Sequence, residues 1–142
     1  MSSDFDPASV QDLERRAFRA WPALQTRETG GWVQRLSGGY TKRANSINAL
    51  SANPDFSPAL ATSLEQPYRD AGLPPVWRLS PLAPPAVEAA LAARGYRRID
   101  ESLVQRAALE NRFRLDPEVT FAPAPSSDWL AGFAALSPVP EP

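Results

Sequence analysis

Apolar positions along the chain alternate between helical spacing and short strand-like runs. In the first segment Val10, Leu13 and Ala17 recur at helical spacing, and Phe18 widens the stripe. Asp6 stands where an N-cap belongs and Pro7 at the first helical position. Trp21-Pro22 ends the helix, because the residue before a proline is pushed out of the α region. Arg15, Arg16 and Arg19, with Asp12 and Glu14 beside them, read as an ordinary solvated helix face. Three β-prone runs follow, at Leu24–Glu28, Trp32–Leu36 and Arg43–Leu50, separated by Gly30-Gly31 and Gly38-Gly39. Paired glycines between such runs favour antiparallel connections, so the pattern predicts a three-stranded meander.

A second helix starts at Ser57-Pro58, with Leu60, Leu64 and Tyr68 on one face and Gly72 after its end. Pro67 lies inside it and removes a donor, which predicts a kink or an early stop. Glu65 and Arg69 form an i,i+4 pair of the kind worth about a few tenths of a kcal/mol. Val76–Leu79 reads as a short buried strand. Pro84-Pro85 opens a third helix with Val87, Ala90 and Leu91 inward and Gly95 as its C-terminal stop. Tyr96–Leu109 reads as a long final strand, with Ile99, Leu103, Ala107 and Leu109 on one face and a bulge or exposed start at Asp100-Glu101. The order α-β-β-β-α-β-α-β predicts an α+β domain over residues 1–112. A proline-rich linker over 113–128 follows, then a short apolar run from Trp129 capped by Ser127 or Asp128. A lone helix with Trp129, Leu130, Phe133 and Leu136 on it has nothing to pack on in such a domain. Residues 129–142 therefore read as a tail or as the start of a second domain.

Composition narrows the chemistry. The 142 residues include no Cys and no His. This excludes disulfides, cysteine nucleophiles, zinc sites with Cys or His ligands, and Ser-His-Asp triads. No metal site is expected, and any proton transfer falls to a carboxylate, Tyr, Lys, a terminus or water. The net charge of −1 argues against nucleic acid as a partner. With no apolar run of about 18 residues and no apolar segment after the acidic start, the chain reads as cytoplasmic, without a membrane partner.

One stretch stands out chemically. Between Glu28 and Asp55 there is no acid, while Arg35, Lys42 and Arg43 are positive and Trp32 and Tyr40 are interleaved. With the donors Asn45, Ser46 and Asn48, this could hold an anion or an acyl amide. On composition alone the favoured reading is a twisted hairpin with a solvated basic turn and one core Trp. Arg35, between Val33 and Leu36, suits a structural or interdomain salt bridge. Glu28, as the nearest carboxylate, is the default general base.

The run Ala20-Trp21-Pro22-Ala23-Leu24, followed by Gly31-Trp32-Val33-Gln34-Arg35-Leu36-Ser37-Gly38-Gly39-Tyr40-Thr41-Lys42-Arg43-Ala44-Asn45-Ser46, resembles the opening of a group of bacterial GNAT-superfamily N-acetyltransferases. Gly72–Leu79 and Leu91–Tyr96 share the likeness, which covers about residues 10–109. The resemblance implies a GNAT-like fold, a mainly antiparallel central sheet with helices on both faces. It implies tandem domains, a degenerate first one and a second that binds acetyl-CoA, with Trp129–Leu136 as the second domain's first helix. The acceptor would be a small amine or a peptide amine, attacking the acetyl thioester directly. Tyr40 would be the proton donor to the leaving thiolate. Trp32, Arg35, Arg43, Asn45 and Ser46 would bind substrate or form the domain interface.

The sequence departs from the family at one place. A working GNAT domain holds the CoA pyrophosphate on a Gly-rich loop before a helix. Here that position reads Leu50-Ser51-Ala52-Asn53-Pro54-Asp55-Phe56-Ser57-Pro58, without a glycine. No cofactor-binding residue is expected in this chain, and acetyl-CoA would be bound by a domain outside it. The partner would be a second GNAT domain or another copy of the chain. A different class of function stays open: a non-catalytic module that docks a partner chain or self-associates through its sheet edge or the Trp129–Leu136 face.

Overall fold

Helix α1 (Pro7–Ala20) begins where the Asp6 carboxylate accepts the N–H groups of Ala8 and Ser9, at 3.2 and 3.1 Å. The computed structural model describes residues 6–108, 118 and 120–136. They divide between Arg97 and Arg98 into two units.

The first unit is built on a four-stranded sheet in the order β1-β2-β3-β4. β1 (Gln25–Thr29), β2 (Trp32–Leu36) and β3 (Ser46–Ala49) are antiparallel neighbours, as the glycine pairs predict. β4 (Trp77–Arg78) lies parallel to β3, with Ile47 opposite Trp77 and Asn48 opposite Arg78. The connection between them carries α2 (Pro58–Asp70), because parallel neighbours need a crossover. α3 (Pro85–Ala93) follows β4. This is an α+β fold with a mostly antiparallel sheet, as expected.

The pleat sorts β2 and β3 into two faces. Trp32, Ile47 and Ala49 join Leu64 and Tyr68 of α2 and Val87 and Leu91 of α3 in the apolar core. Trp32, Phe56 and Trp77 meet edge to face, with ring centroids 5.1–6.2 Å apart. Each such pair adds about 0.5–1.5 kcal/mol beyond the area it buries. The opposite face carries Val33, Arg35, Ser46 and Asn48, all buried, and α1 covers it. The outer strand β1 is the polar run Gln-Thr-Arg-Glu-Thr and lies exposed, which suits an edge.

Some boundaries differ from the sequence reading. β3 is shorter than Arg43–Leu50 because Lys42–Ala44 forms a 3₁₀ turn, capped by Thr41 Oγ1 on the N–H of Ala44. α2 does not stop at Pro67 but continues to Asp70. β4 spans two half-buried residues rather than Val76–Leu79. After α3, Gly95 takes φ +88° while the N–H of Tyr96 returns to the Leu91 carbonyl, the glycine-terminated helix end that was anticipated.

The long strand expected over Tyr96–Leu109 is the main correction. Residues 96–108 form no strand, and Leu109 lies outside the described residues. Alternating residues alone do not make a strand; its backbone needs a neighbour to bond and one face needs cover. Leu103 and Val104 are 86% and 69% exposed, so neither condition is met. In the second unit, α4 (Ser127–Leu136) is capped by Ser126, one residue earlier than expected: its hydroxyl accepts the N–H of Trp129 at 3.1 Å. Trp129 and Phe133 stack with centroids 5.3 Å apart.

Candidate functional site

The motif around Gly38-Gly39 folds into a loop that is closed from inside. Asn45 Oδ1 accepts the N–H of Ser37 at 2.7 Å and of Gly39 at 3.0 Å, and its Nδ2 donates to the Thr41 carbonyl at 2.7 Å. Gly38 and Gly39 sit at φ +63° and +81°, which lets the backbone N–H groups of Ser37 and Gly39 converge on Asn45 Oδ1. The Arg35 guanidinium braces the loop from below. Its Nη1 donates to the Arg43 carbonyl at 2.6 Å, and its Nη2 reaches the carbonyls of Phe18, at 3.3 Å, and Trp21. The guanidinium also lies 4.6 Å from the Phe18 ring centroid. Arg35 thus ties the end of α1 to β2 and the loop through backbone carbonyls. Burial, and behind it the neighbouring Arg78 cation, lower its pKa, while Tyr68 and Glu14 act the other way.

Other motif residues divide into inner and outer sets. Trp32 is fully buried, with Nε1 donating to the Asp55 carbonyl at 2.6 Å. Ser46 is fully buried and takes a hydrogen bond on Oγ from Asn48 Nδ2 at 3.1 Å. On the outside, Tyr40 is half exposed and the Arg43 guanidinium stands 5.5 Å from the Trp21 ring centroid. Glu28 is exposed on edge strand β1, opposite Val33. A shallow cavity of about 180 Å³ opens beside the glycine pair between Leu24, Leu36, Ala71 and Leu73, with Gln25 and Ser37 at its rim. Arg35, Asn45 and Arg43 are joined by direct contacts or through one loop; neither Glu28 nor Tyr40 lines that cavity.

Two ionic clusters escaped the sequence reading. Glu65 is fully buried, and its carboxylate accepts Nη2 of Arg69 and Nη2 of Arg94 at 2.7 Å each and Trp77 Nε1 at 3.3 Å. It also meets the Tyr96 hydroxyl. Burial alone would raise its pKa; the hydrogen bonds from Tyr96, Arg94 and Trp77 outweigh this and hold it below the usual carboxylate value. Its link to Arg69 is therefore part of a buried cluster rather than a surface pair. Glu14 is likewise buried and accepts Arg78 Nη1 at 2.5 Å, correcting its reading as solvated surface. The signal was present in both helices. Glu65 falls at the helical spacing of Ala61, Leu64 and Tyr68, and Glu14 at that of Val10, Leu13 and Ala17, so each is an acid inside an apolar stripe.

No group of three or more acidic side chains is placed to hold a metal ion among the described residues. Nor is any described helix long and apolar enough to cross a membrane.

A mostly antiparallel sheet with one parallel crossover, covered by helices on both faces, is the architecture in which the opening motif finds its place. Comparison with known proteins gives that architecture a family. A family model described as the C-terminal part of the probable histone acetyltransferase Rv0428c matches residues 7–140. The chain belongs to that family, in accord with its resemblance to GNAT-type acetyltransferases. It is also 31% identical over 136 residues to YobR, an uncharacterized N-acetyltransferase of Bacillus subtilis, covering 89% of this chain and 53% of the relative. The chain thus spans about half the length of the curated relative it matches. No solved structure matches.

Proposed function

We propose that this chain is the half of a GNAT-type N-acetyltransferase that does not hold the CoA pyrophosphate. It works with a companion domain that binds acetyl-CoA, and the acceptor is a small amine or a peptide amine. The observation that carries this reading is the start of α2. A helix N-terminus binds phosphate through free N–H groups. Here Pro58 has none, and the N–H of Leu60 is taken by Ser57 Oγ at 3.1 Å. The loop before it is also committed: Leu50 and Ser51 donate to the Gly31 carbonyl, Asn53 donates to the Leu82 carbonyl, and Trp32 holds the Asp55 carbonyl. The Asp55 carboxylate would repel a pyrophosphate. Acetyl-CoA therefore does not fit these residues, and no step of acetyl transfer is routed through them.

In this reading residues 1–112 form the degenerate domain, 113–128 the linker and 129–142 the beginning of the companion. Tyr40 and Arg43, displayed on the rigid loop, face the acceptor or the domain interface, with Glu28 as the nearest exposed carboxylate. A second reading, a non-catalytic docking module, is favoured by α4, where Trp129 and Leu130 are at least half exposed. The test is release of free CoA thiol from acetyl-CoA in the presence of an amine acceptor. The chain alone should give only the background rate, and the chain joined to its companion should turn over. Turnover by the chain alone would contradict the proposal; failure of the joined protein across amine classes would favour the docking module.

A further inference from the structure

The sheet is covered on its two sides by different chemistry. Under α2 and α3 lies the aromatic and aliphatic core. Under α1 lie Arg35, Ser46 and Asn48, all buried, with Arg78 beside them. The only buried residue that α1 places on this face is a carboxylate, Glu14, while its Val10, Leu13 and Phe18 are half-buried. The helix is attached by polar links at named points. Gln11 Nε2 donates to the Leu50 carbonyl at 2.7 Å, Glu14 accepts Arg78, and Arg35 donates to the carbonyls of Phe18 and Trp21. The Arg35 contacts hold the C-terminal end, next to Pro22; the other two hold the middle.

We propose that α1 is a lid over the cationic face of the sheet, hinged at its Trp21-Pro22 end and latched by Glu14 on Arg78. Hydrophobic attachment scales with apolar area removed from water, and α1 has only a partial share of it: Val10 packs against the core, but no apolar side chain of the helix is fully buried. The rest of its docking is a charged pair and a few hydrogen bonds, and of these the buried Glu14 carboxylate on Arg78 is the one most costly to break. Opening separates Glu14 from the part-exposed Arg78 and leaves the Arg78 and Arg35 guanidinium groups, which repel each other through space, without their shared counter-charge. The latch is thus what sets the population of the open form. The Asn48 side chain, 3.5 Å from Arg78 Nη1 and bonded to Ser46, holds Arg78 in place for closure.

Amide hydrogen exchange on the full chain under native conditions tests this directly. A free helix of 14 residues is marginal in water, so α1 amides exchange when the lid opens. The expected result is that α1 exchanges by an opening less costly than the one that exposes α2 and β3. Glu14→Gln keeps the shape and removes the charge, and should speed α1 exchange roughly tenfold or more with α2 unchanged. Arg78→Gln should do the same, and the double variant should add little, since both act on one latch. Gln11→Ala is the milder variant: it removes only the Leu50 contact and should speed α1 exchange alone, by a smaller factor. Equal exchange of α1 and α2, or variants that speed both helices alike, would overturn the lid.

Discussion

Asn45 replaces a missing strand neighbour with one carboxamide. It supplies an acceptor for two backbone N–H groups and a donor for a third partner. Removing it takes the acceptor from the N–H groups of Ser37 and Gly39, of which Ser37 is half-buried and Gly39 lies open to water that can replace part of the loss. Asn45→Ala should therefore lower the urea unfolding midpoint by an amount worth about 1–3 kcal/mol at an unchanged slope. The glycines give a sharper comparison. Gly38 and Gly31 both have positive φ, +63° and +80°, but a Cβ at Gly38 meets nothing, whereas at Gly31 it meets Ser51 Oγ and lies 2.9 Å from Pro54 Cβ. Gly38→Ala should cost about 1–2 kcal/mol, the left-handed penalty alone, and Gly31→Ala measurably more in the same titration.

Two buried acids set opposite limits on the pH range. Glu65 is held below its ordinary pKa, so it stabilises the fold above the unfolded carboxylate range, and that contribution is lost as pH falls through its folded value. Glu65→Gln should flatten the acid limb of a stability–pH curve. Tyr68 is pushed up to about 12, chiefly by burial. Its contribution is full below the unfolded value near 10 and disappears as pH rises toward 12. Its hydroxyl both accepts the Arg35 N–H and donates to the Arg35 carbonyl, at 3.0 Å each. Tyr68→Phe should lower stability at neutral pH and remove the alkaline limb.

Among the elements, those legible in the sequence were the ones with local signals. Capping residues, prolines and glycine pairs placed α1, α2, α3 and the meander within a few residues. What could not be read were properties of neighbours distant in sequence. Ile99, Leu103 and Ala107 would share one face of an extended chain, a fair strand pattern, yet among the described residues no strand pairs with it. Pro67 is a strong local stop, yet Leu64 and Tyr68 on either side are both core residues, and their burial carries α2 past it. Pro67→Ala restores a backbone donor toward the preceding turn. It should raise the thermal midpoint, by an amount corresponding to about 1–3 kcal/mol. A structural role for Arg35 was legible, but its partners are backbone carbonyls rather than a carboxylate, and the inner roles of Asn45 and Ser46 were hidden, since a polar motif reads alike whether its donors face a ligand or its own backbone.

For the whole molecule, the two faces of the sheet have separate tasks. The apolar side, from Trp32 to Leu91, supplies the burial that holds the fold. The polar side and the loop it braces carry the groups that could meet another molecule. In the proposed function the start of α2 is closed to a pyrophosphate, because Pro58 has no N–H and Ser57 takes that of Leu60. Calorimetric titration of acetyl-CoA into the folded, monodisperse chain examines that closure without any assumption about the acceptor. No binding tighter than about 100 μM, or about −5.5 kcal/mol, is expected. Saturable binding below that value at one site per chain would contradict the proposal, and would place a cofactor site in this chain.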